Sequence, residues 1–279
     1  MPEIKRFGVP PHVYCLPFIG ELKRETSFKI LVDAPAQNAI KMREHDLEVA
    51  FLSPIDYGRE SSDYCIIPNV AVSSRTPTDT IVLHFKEGLH TVKTLAVHPT
   101  SASEIVLASI LLGEQFDVRP QIVPVMGSLD QMLRSADAAL LVGNTALEEG
   151  QVHRNKMDLV EEWFDMTGLP YVHGFWCVRE ADVARDDIIS IQHACERGVK
   201  SLAGITETDV TGQKPRFSPD TLRQYLESFS FVLSDEEQEA LMEFIRYGYY
   251  HGVLPDVADL QFYPVDKMDE SPFADHSLN

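Results

Sequence analysis

The segment from Leu95 to Leu112, LAVHPTSASEIVLASILL, most constrains the fold of this chain. It begins as a short apolar strand, continues through a turn rich in hydroxyl groups, and ends with apolar residues at helical spacing. Ser and Thr side chains at a helix start accept hydrogen bonds from free backbone N–H groups. Those N–H groups and the positive end of the helix dipole also favour a bound carboxylate or phosphate. The segment therefore predicts either an ordinary capped helix or part of an anion site.

Strands and helices alternate along most of the chain, which favours parallel sheets with helices on both faces. In such sheets, ligands lie beyond the carboxyl ends of the strands. Four predicted strand ends carry small hydroxyl or amide side chains: Ser53-Pro54, Ser73-Ser74, Thr100-Ser101 and Asn144-Thr145. This recurrence favours a ligand site over helix capping alone.

The apolar patterns predict ten strands and seven helices. The strands are expected over 5–9, 28–32, 47–52, 64–68, 70–72, 80–85, 95–97, 119–125, 138–143 and 171–178. The helices are expected over 35–45, 104–112, 129–135, 158–167 and 186–197, and after the N-cap candidates Ser218 and Ser234. Gly198 is expected to end the helix over 186–197, and the chain from Pro255 is expected to be extended.

The charge balance argues against several classes of partner. The formal net charge is −19, with 43 Asp and Glu against 24 Lys and Arg, and no basic run reaches four residues. We therefore expect no nucleic-acid partner and no attraction to anionic membrane surfaces. A small anionic ligand would depend on local donors such as hydroxyls and helix N-termini, because the overall field opposes it.

The cysteines and histidines predict neither a metal site nor a redox motif. Cys15, Cys65, Cys177 and Cys195 lie far apart, without CxxC spacing, and the ten His show no ligand spacing such as HxxxH. The first residues lack the apolar core of a signal peptide, and no apolar run is long enough for a membrane span. We expect a cytoplasmic protein without cofactor or metal, and leave its oligomeric state open, with a homodimer as one alternative.

Several segments resemble the MqnA/MqnD family of the futalosine route to menaquinone. They are LEVAFLSPIDYG (47–58), VAVSSRTP (70–77), LAVHPTSASEIVLASILL (95–112), DAALLVGNTAL (137–147) and DLVEEWFDMTGLPYVHGFWC (158–177). The YVHGFWC strand is more similar to the MqnA branch, that of chorismate dehydratase. The resemblance implies an α/β fold of the type II periplasmic-binding-protein class, with two lobes and a central cleft. Lobe one would comprise 1–86 plus 171–279 and lobe two 87–170, with crossovers near 81–86 and 171–177.

The implied activity is the elimination of water from chorismate to give 3-[(1-carboxyvinyl)oxy]benzoate. The implied catalytic residues are Ser74, Asn144 and Tyr14. The expected substrate-binding residues are Ser53, Ser73, Arg75, Thr76, Thr100, Ser101, Ser103, Thr145 and His173. Donors near Thr100 and Ser101 would stabilise charge on the ring carboxylate, because the proton that is removed is vinylogous to it.

Three departures from the family pattern leave the reaction open. Tyr14 stands where the family usually has Asn, Asn144 where it usually has Asp, and Ser74-Arg75-Thr76-Pro77 where it usually has Ser-Asp-Gly-Pro. The candidate bases are Glu104, His98, His173, Tyr14 and the substrate's own carboxylate. The alternatives are a non-catalytic protein that binds small aromatic carboxylates on the same fold, or a related enzyme with a different unsaturated acid as substrate.

Overall fold

The computed structural model describes residues 4–99, 102–149, 155–205 and 217–265, and these form two five-stranded sheets with surrounding helices. The strands are β1 Lys5–Val9, β2 Phe28–Val32, β3 Val49–Leu52, β4 Cys65–Ser74, β5 Ile81–Phe85, β6 Thr94–Val97, β7 Gln121–Pro124, β8 Ala138–Val142, β9 Lys156–Asp158 and β10 Tyr171–Val178. The α-helices are α1 Leu16–Leu22, α2 Pro35–Arg43, α3 Pro54–Arg59, α4 Ala102–Phe116, α5 Leu129–Ser135, α6 Asn144–Glu149, α7 Leu159–Thr167, α8 Arg185–Lys200, α9 Pro219–Leu226 and α10 Asp235–Tyr250.

The first sheet has the order β2-β1-β3-β10-β4. Strands β1, β2 and β3 are parallel, and β10 runs antiparallel to β3 and β4. The two strands expected over 64–68 and 70–72 are one continuous strand, β4. Its pairing with β10 shifts register between Phe175 and Cys177, and Asn69 there has a φ of 67°. Pro68 has no backbone N–H to donate to the sheet, so the sequence pattern indicates that a strand ends there. The register shift accommodates Pro68, and the strand continues through it.

The second sheet has the order β7-β6-β8-β5-β9. Strand β5 was expected at the end of lobe one, but it pairs antiparallel with β8 and β9 and so belongs to this second sheet. Strand β9, residues Lys156–Asp158, was not predicted, because three residues are too short for a periodic signal. The lobe boundaries themselves remain a prediction.

The helix α8 continues past Gly198 and ends at Lys200, so the expected cap at Gly198 is wrong. A Cβ atom at Gly198 would lie 2.0 Å from the carbonyl oxygen of Pro17, the second residue of α1. The glycine therefore allows the backbones of α1 and α8 to approach closely. A glycine that ends a helix and a glycine at a helix contact look the same in sequence, so the sequence did not predict this role.

Apolar residues from both sheets form one continuous core. It joins Ala50 and Phe175 of the first sheet to Leu83 and Leu140 of the second through α4, α7 and α10. Two further clusters cover the outer face of each sheet. No helix in the described part of the chain is long and apolar enough to cross a membrane.

Candidate functional site

A buried hydrogen bond joins the end of β4 to the start of β10. Tyr171 pairs with Ser74 in the register of the two strands, which brings His173 beside the same edge. The Oγ of Ser74 lies 2.7 Å from Nε2 of His173, and both side chains are buried. Because β10 runs antiparallel, its first residues lie at the carboxyl end of β4, the position at which an α/β sheet binds ligands.

Aromatic rings enclose the His173 imidazole. Its ring centroid lies 5.2 Å from that of Tyr14, 5.0 Å from Tyr171 and 5.3 Å from Phe229. Burial in these surroundings lowers the pKa of His173 to about 3, because desolvation penalises the imidazolium. His173 is therefore neutral near pH 7, and its hydrogen bond with Ser74 joins two uncharged groups.

Glu104 brings an acidic group to the same region from the first turn of α4. Its side chain is 5% exposed, and burial raises its pKa to about 7, with a smaller contribution from Asp56. Burial is the main cause of the raised pKa values of Tyr14 and Tyr171, and the charge of Glu104 raises both further. At neutral pH the carboxyl of Glu104 is therefore divided between its acid and base forms.

A cavity of about 160 Å³ opens beside Glu104. Its polar lining consists of His12, His98, Glu104 and Thr145, and its apolar lining is Pro35, Gly127, Met132, Leu140, Leu141 and Val142. No Lys or Arg belongs to this lining in the part of the chain that is described. Burial lowers the pKa of His12 to about 4, so this imidazole is also neutral near pH 7. The cavity therefore presents the neutral imidazole of His12 and the titrating carboxyl of Glu104.

Asn144, at the start of α6, joins the turn after β8 to the N-terminal loop 11–13. Its Nδ2 donates to the carbonyl of Pro11 at 2.8 Å, and its Oδ1 accepts from the N–H of Val13 at 3.3 Å. The preceding Gly143 has a φ of 66°, and a Cβ atom there would lie 2.5 Å from Nδ1 of His12. The turn after β8 therefore seats the N-terminal loop 11–13 against the second sheet.

The family of the chain is shown by its sequence. A family model described as menaquinone biosynthesis matches residues 6–250. The chain belongs to the menaquinone biosynthesis family. It is 22% identical over 257 residues to a chorismate dehydratase of Thermus thermophilus, which covers 85% of this chain and 92% of that protein.

Solved structures confirm the fold expected for this member of the menaquinone biosynthesis family. A protein from Archaeoglobus fulgidus matches with a TM-score of 0.69 at 14% identity, covering 90% of this chain and 98% of that one. The periplasmic aliphatic sulphonate binding protein SsuA of Escherichia coli matches with a TM-score of 0.61 at 13% identity, covering 94% and 98%. The two-lobed α/β fold of periplasmic binding proteins is thus the fold of this family member.

Two of the predicted binding serines act as helix caps in this family member. The Oγ of Ser53 accepts from the N–H of Asp56 at 3.3 Å and donates to its carboxylate at 2.7 Å. The Oγ of Ser103 accepts from the N–H of Ile55 at 3.0 Å, which joins α4 to the start of α3. Both hydroxyls are engaged within the protein, so their assignment to substrate binding remains a prediction that the geometry does not support.

Of the next three predicted residues, two contact α10 and one is exposed to solvent. The Oγ of Ser73 donates to Glu237 at 3.1 Å, and the half-exposed Arg75 forms an ion pair with Glu236. Thr76 is exposed in the turn that follows β4. None of the three lines the cavity beside Glu104, whereas Thr145 does. Thr100 and Ser101 lie outside the described residues.

Ser74 and Tyr14 both contact His173, and Asn144 binds the loop 11–13, which carries the cavity residue His12. None of these four residues belongs to the cavity lining itself, and their catalytic or binding roles remain predictions. The sequence missed His12 and Tyr171. No local sequence pattern marks either residue, because His12 lies in a loop without periodicity and Tyr171 begins an apolar strand. Within the described residues, no group of three or more His, Cys, Asp or Glu side chains could hold a metal ion.

Proposed function

We propose that this protein eliminates water from chorismate to give 3-[(1-carboxyvinyl)oxy]benzoate, with Glu104 as the proton-transfer group. The observation that carries the proposal is a buried carboxyl in the lining of a cavity to which both the N-terminal loop and the second sheet contribute. Membership of the menaquinone biosynthesis family and similarity to a protein named chorismate dehydratase support the reaction class.

The proposed chemistry needs a group that takes one proton and returns it. The C–H bond beside the ether oxygen breaks, its proton goes to the Glu104 carboxylate, and the electron pair enters the ring system. The C–O bond to the ring hydroxyl then breaks, and the departing oxygen receives the proton from Glu104 and leaves as water. The ring becomes aromatic, which makes the elimination favourable. A carboxyl whose pKa lies near 7 suits both transfers at neutral pH.

The cavity lining suggests how the carboxylates of the substrate are held. His12 and His98 offer ring nitrogens, and Thr145 offers a hydroxyl. The first turn of α4, which carries Glu104, adds the positive end of a 15-residue helix. A bound dianion raises the pKa of Glu104 further. We therefore expect kcat to rise with pH at higher pH values than kcat/KM does, since kcat reports the substrate complex.

The test is turnover of chorismate by the purified chain and by two Glu→Gln variants. Product is followed by absorbance and mass spectrometry. Glu104→Gln should lower kcat by about 10²-fold or more, because the amide cannot accept the proton. Glu114→Gln is the matched control on the same helix, where the carboxylate is half-exposed and pairs with His251. Equal turnover by the two variants contradicts the role of Glu104, and absence of product from the folded wild-type chain contradicts the dehydration.

A second candidate function is non-catalytic binding of small aromatic carboxylates. It is favoured by Asn144, because an amide cannot serve as the carboxylate base and this one bonds Pro11 and Val13 of the N-terminal loop. A thermal-shift screen with benzoates and enolpyruvyl acids separates the two. Stabilisation by these acids without conversion of chorismate supports binding alone. Conversion of another unsaturated acid in the same screen supports a related lyase with a different substrate.

A further inference from the structure

A groove between α2, α3 and the start of α4 shares no lining residue with the cavity beside Glu104. Its volume is about 480 Å³, within the range of about 300–1,000 Å³ that is typical of small-molecule sites. Ala36, Ala39, Ile40 and Arg43 line it at the i, i+3, i+4 and i+7 positions of one face of α2. The proposed reaction uses none of these residues, so this α2–α4 groove is a separate cavity without an assigned role.

Part of the groove lining is apolar. Ile40 contributes from α2, and Ile105 and Val106 contribute from the start of α4. Ile40 and Ile105 are only half-buried, so part of each side chain is still in contact with solvent. Covering this apolar surface would be favourable, because it removes hydrocarbon from water. The lining therefore suits a ligand with an apolar body.

The charged groups of the groove present guanidinium groups to solvent more than carboxylates. The side chains of Arg43 and Arg59 are 57% and 47% exposed, whereas those of their partners Glu60 and Asp56 are 31% and 7% exposed. The carboxylate of Asp56 also accepts a hydrogen bond of 2.7 Å from the Oγ of Ser53. The accessible charge in the groove is therefore mainly positive, on a chain whose formal net charge is −19.

Both guanidinium groups retain N–H donors for a ligand. Arg43 donates from Nη1 to Oε1 of Glu60 at 3.2 Å. The Nη1 of Arg59 lies 3.7 Å from Oδ1 of Asp56, which is an ion pair but exceeds hydrogen-bond distance. A guanidinium carries several N–H donors in a fixed fork, and this fork matches the two oxygens of a carboxylate. The ion pairs with Glu60 and Asp56 therefore leave donors that a ligand carboxylate can fill.

We propose that the α2–α4 groove binds a small aromatic dicarboxylate. Its carboxylates would pair with Arg43 and Arg59, and its ring would lie against Ile40 and Ile105. An inorganic anion would meet the same guanidinium groups but leave the apolar lining in water, so the organic acid should bind more tightly. This site is independent of the proposed dehydration, because its residues do not line the cavity beside Glu104.

The test is calorimetric titration of the full chain with isophthalate, a stable aromatic dicarboxylate, and with inorganic phosphate. Isophthalate should bind more tightly than phosphate, and Arg43→Gln and Arg59→Gln should each raise its Kd by about tenfold. Arg246→Gln is the matched control for the change in charge, because Arg246 is 50% exposed and its Nη1 donates to Glu243 at 3.0 Å on α10. Ala36→Leu should also raise the Kd, because the larger side chain fills the groove and leaves both arginines in place.

Three results overturn the proposal. They are absence of isophthalate binding to the folded wild-type chain, a Kd in Arg43→Gln and Arg59→Gln no higher than in Arg246→Gln, and binding of phosphate as tight as that of isophthalate. If Arg59→Gln lowers Tm because Asp56 loses its partner, Arg43→Gln and Ala36→Leu decide the question.

Binding in the other cavity gives a different result. Isophthalate bound beside Glu104 would respond to Thr145→Val and not to Arg43→Gln, and this outcome also rejects the groove. Absence of chorismate turnover does not affect these titrations, so failure of the dehydration and failure of the groove are separate results.

Discussion

Ser74 and His173 are 99 residues apart in sequence and share a hydrogen bond of 2.7 Å in the buried interior of the first sheet. The bond exists because β4 and β10 pair antiparallel, with the end of one strand beside the start of the other. His173 is neutral, so Ser74 is the partner that satisfies its Nε2. The pair stabilises the edge of the sheet at which the candidate site lies.

Ser74→Ala should therefore destabilise the protein by about 1–3 kcal/mol, because it leaves a buried imidazole nitrogen without a partner. Urea unfolding at pH 7 measures the change. Ser109→Ala is the control: Ser109 donates to the carbonyl of Ile105 within α4, and that carbonyl lies inside a helix. A loss of stability no greater in Ser74→Ala than in Ser109→Ala would show that the Ser74 hydrogen bond contributes little.

Glu104 should make stability depend on pH in a predictable direction. Its pKa in the folded chain, about 7, lies above the ordinary value of 4.5, so the folded state holds a proton that the unfolded state releases between these values. The contribution of Glu104 is fully present below about pH 4.5 and is lost as the pH rises through about 7. Glu104→Gln should consequently gain stability relative to the wild type over this range, by an amount of order 3 kcal/mol at pH 8.

Urea unfolding of both proteins from pH 4.5 to pH 8 tests this dependence. His12 and His173 have folded pKa values of about 4 and about 3, below the ordinary 6.5, so their contribution to stability grows as the pH rises to 6.5 and is constant above it. Their contribution is common to wild type and variant and cancels in the difference. A difference in stability that does not change with pH contradicts the raised pKa of Glu104.

Asn144→Asp should loosen the junction between the lobes. The new carboxylate can still accept from the N–H of Val13, but it cannot donate to the carbonyl of Pro11. One of its oxygens would instead lie against the Pro11 carbonyl oxygen and repel it. We expect faster hydrogen exchange at the Val13 amide and a loss of about 1 kcal/mol in stability. Asn155→Asp makes the same chemical change on an exposed residue that donates to the Lys86 carbonyl, just after β5 of the second sheet. Equal exchange at Val13 in both variants would falsify the bridging role.

Gly143→Ala should be more damaging than Gly168→Ala, although both glycines have positive φ, of 66° and 72°. Each substitution should lower the free energy of unfolding by about 1 kcal/mol, because alanine is strained in the left-handed backbone conformation. At Gly143 the added Cβ also meets the His12 ring at 2.5 Å, whereas at Gly168 nothing lies within 4 Å. Melting temperatures give the comparison, and ligand affinity should fall only in Gly143→Ala, because His12 lines the cavity. Equal Tm losses and affinities contradict the packing of His12 on Gly143.

The sequence alone determined most of the secondary structure and the α/β class. Apolar runs and turn residues are local signals, and they located strands such as Tyr171–Val178 with the bounds that the structure has. Ser218 and Ser234 lie at the N-caps where their spacing to later residues placed them. The resemblance in strand-end motifs added the two-lobed fold, which the structural neighbours confirm.

Only the tertiary structure decided which side chains share the site. Ser53, Ser73, Ser74 and Ser103 look alike in sequence, yet Ser53 and Ser103 cap α3, Ser73 binds Glu237 and Ser74 binds His173. The physical reason is that hydrophobic periodicity acts over a few residues, whereas a polar side chain's partner depends on sheet register and lobe packing between segments far apart in the chain.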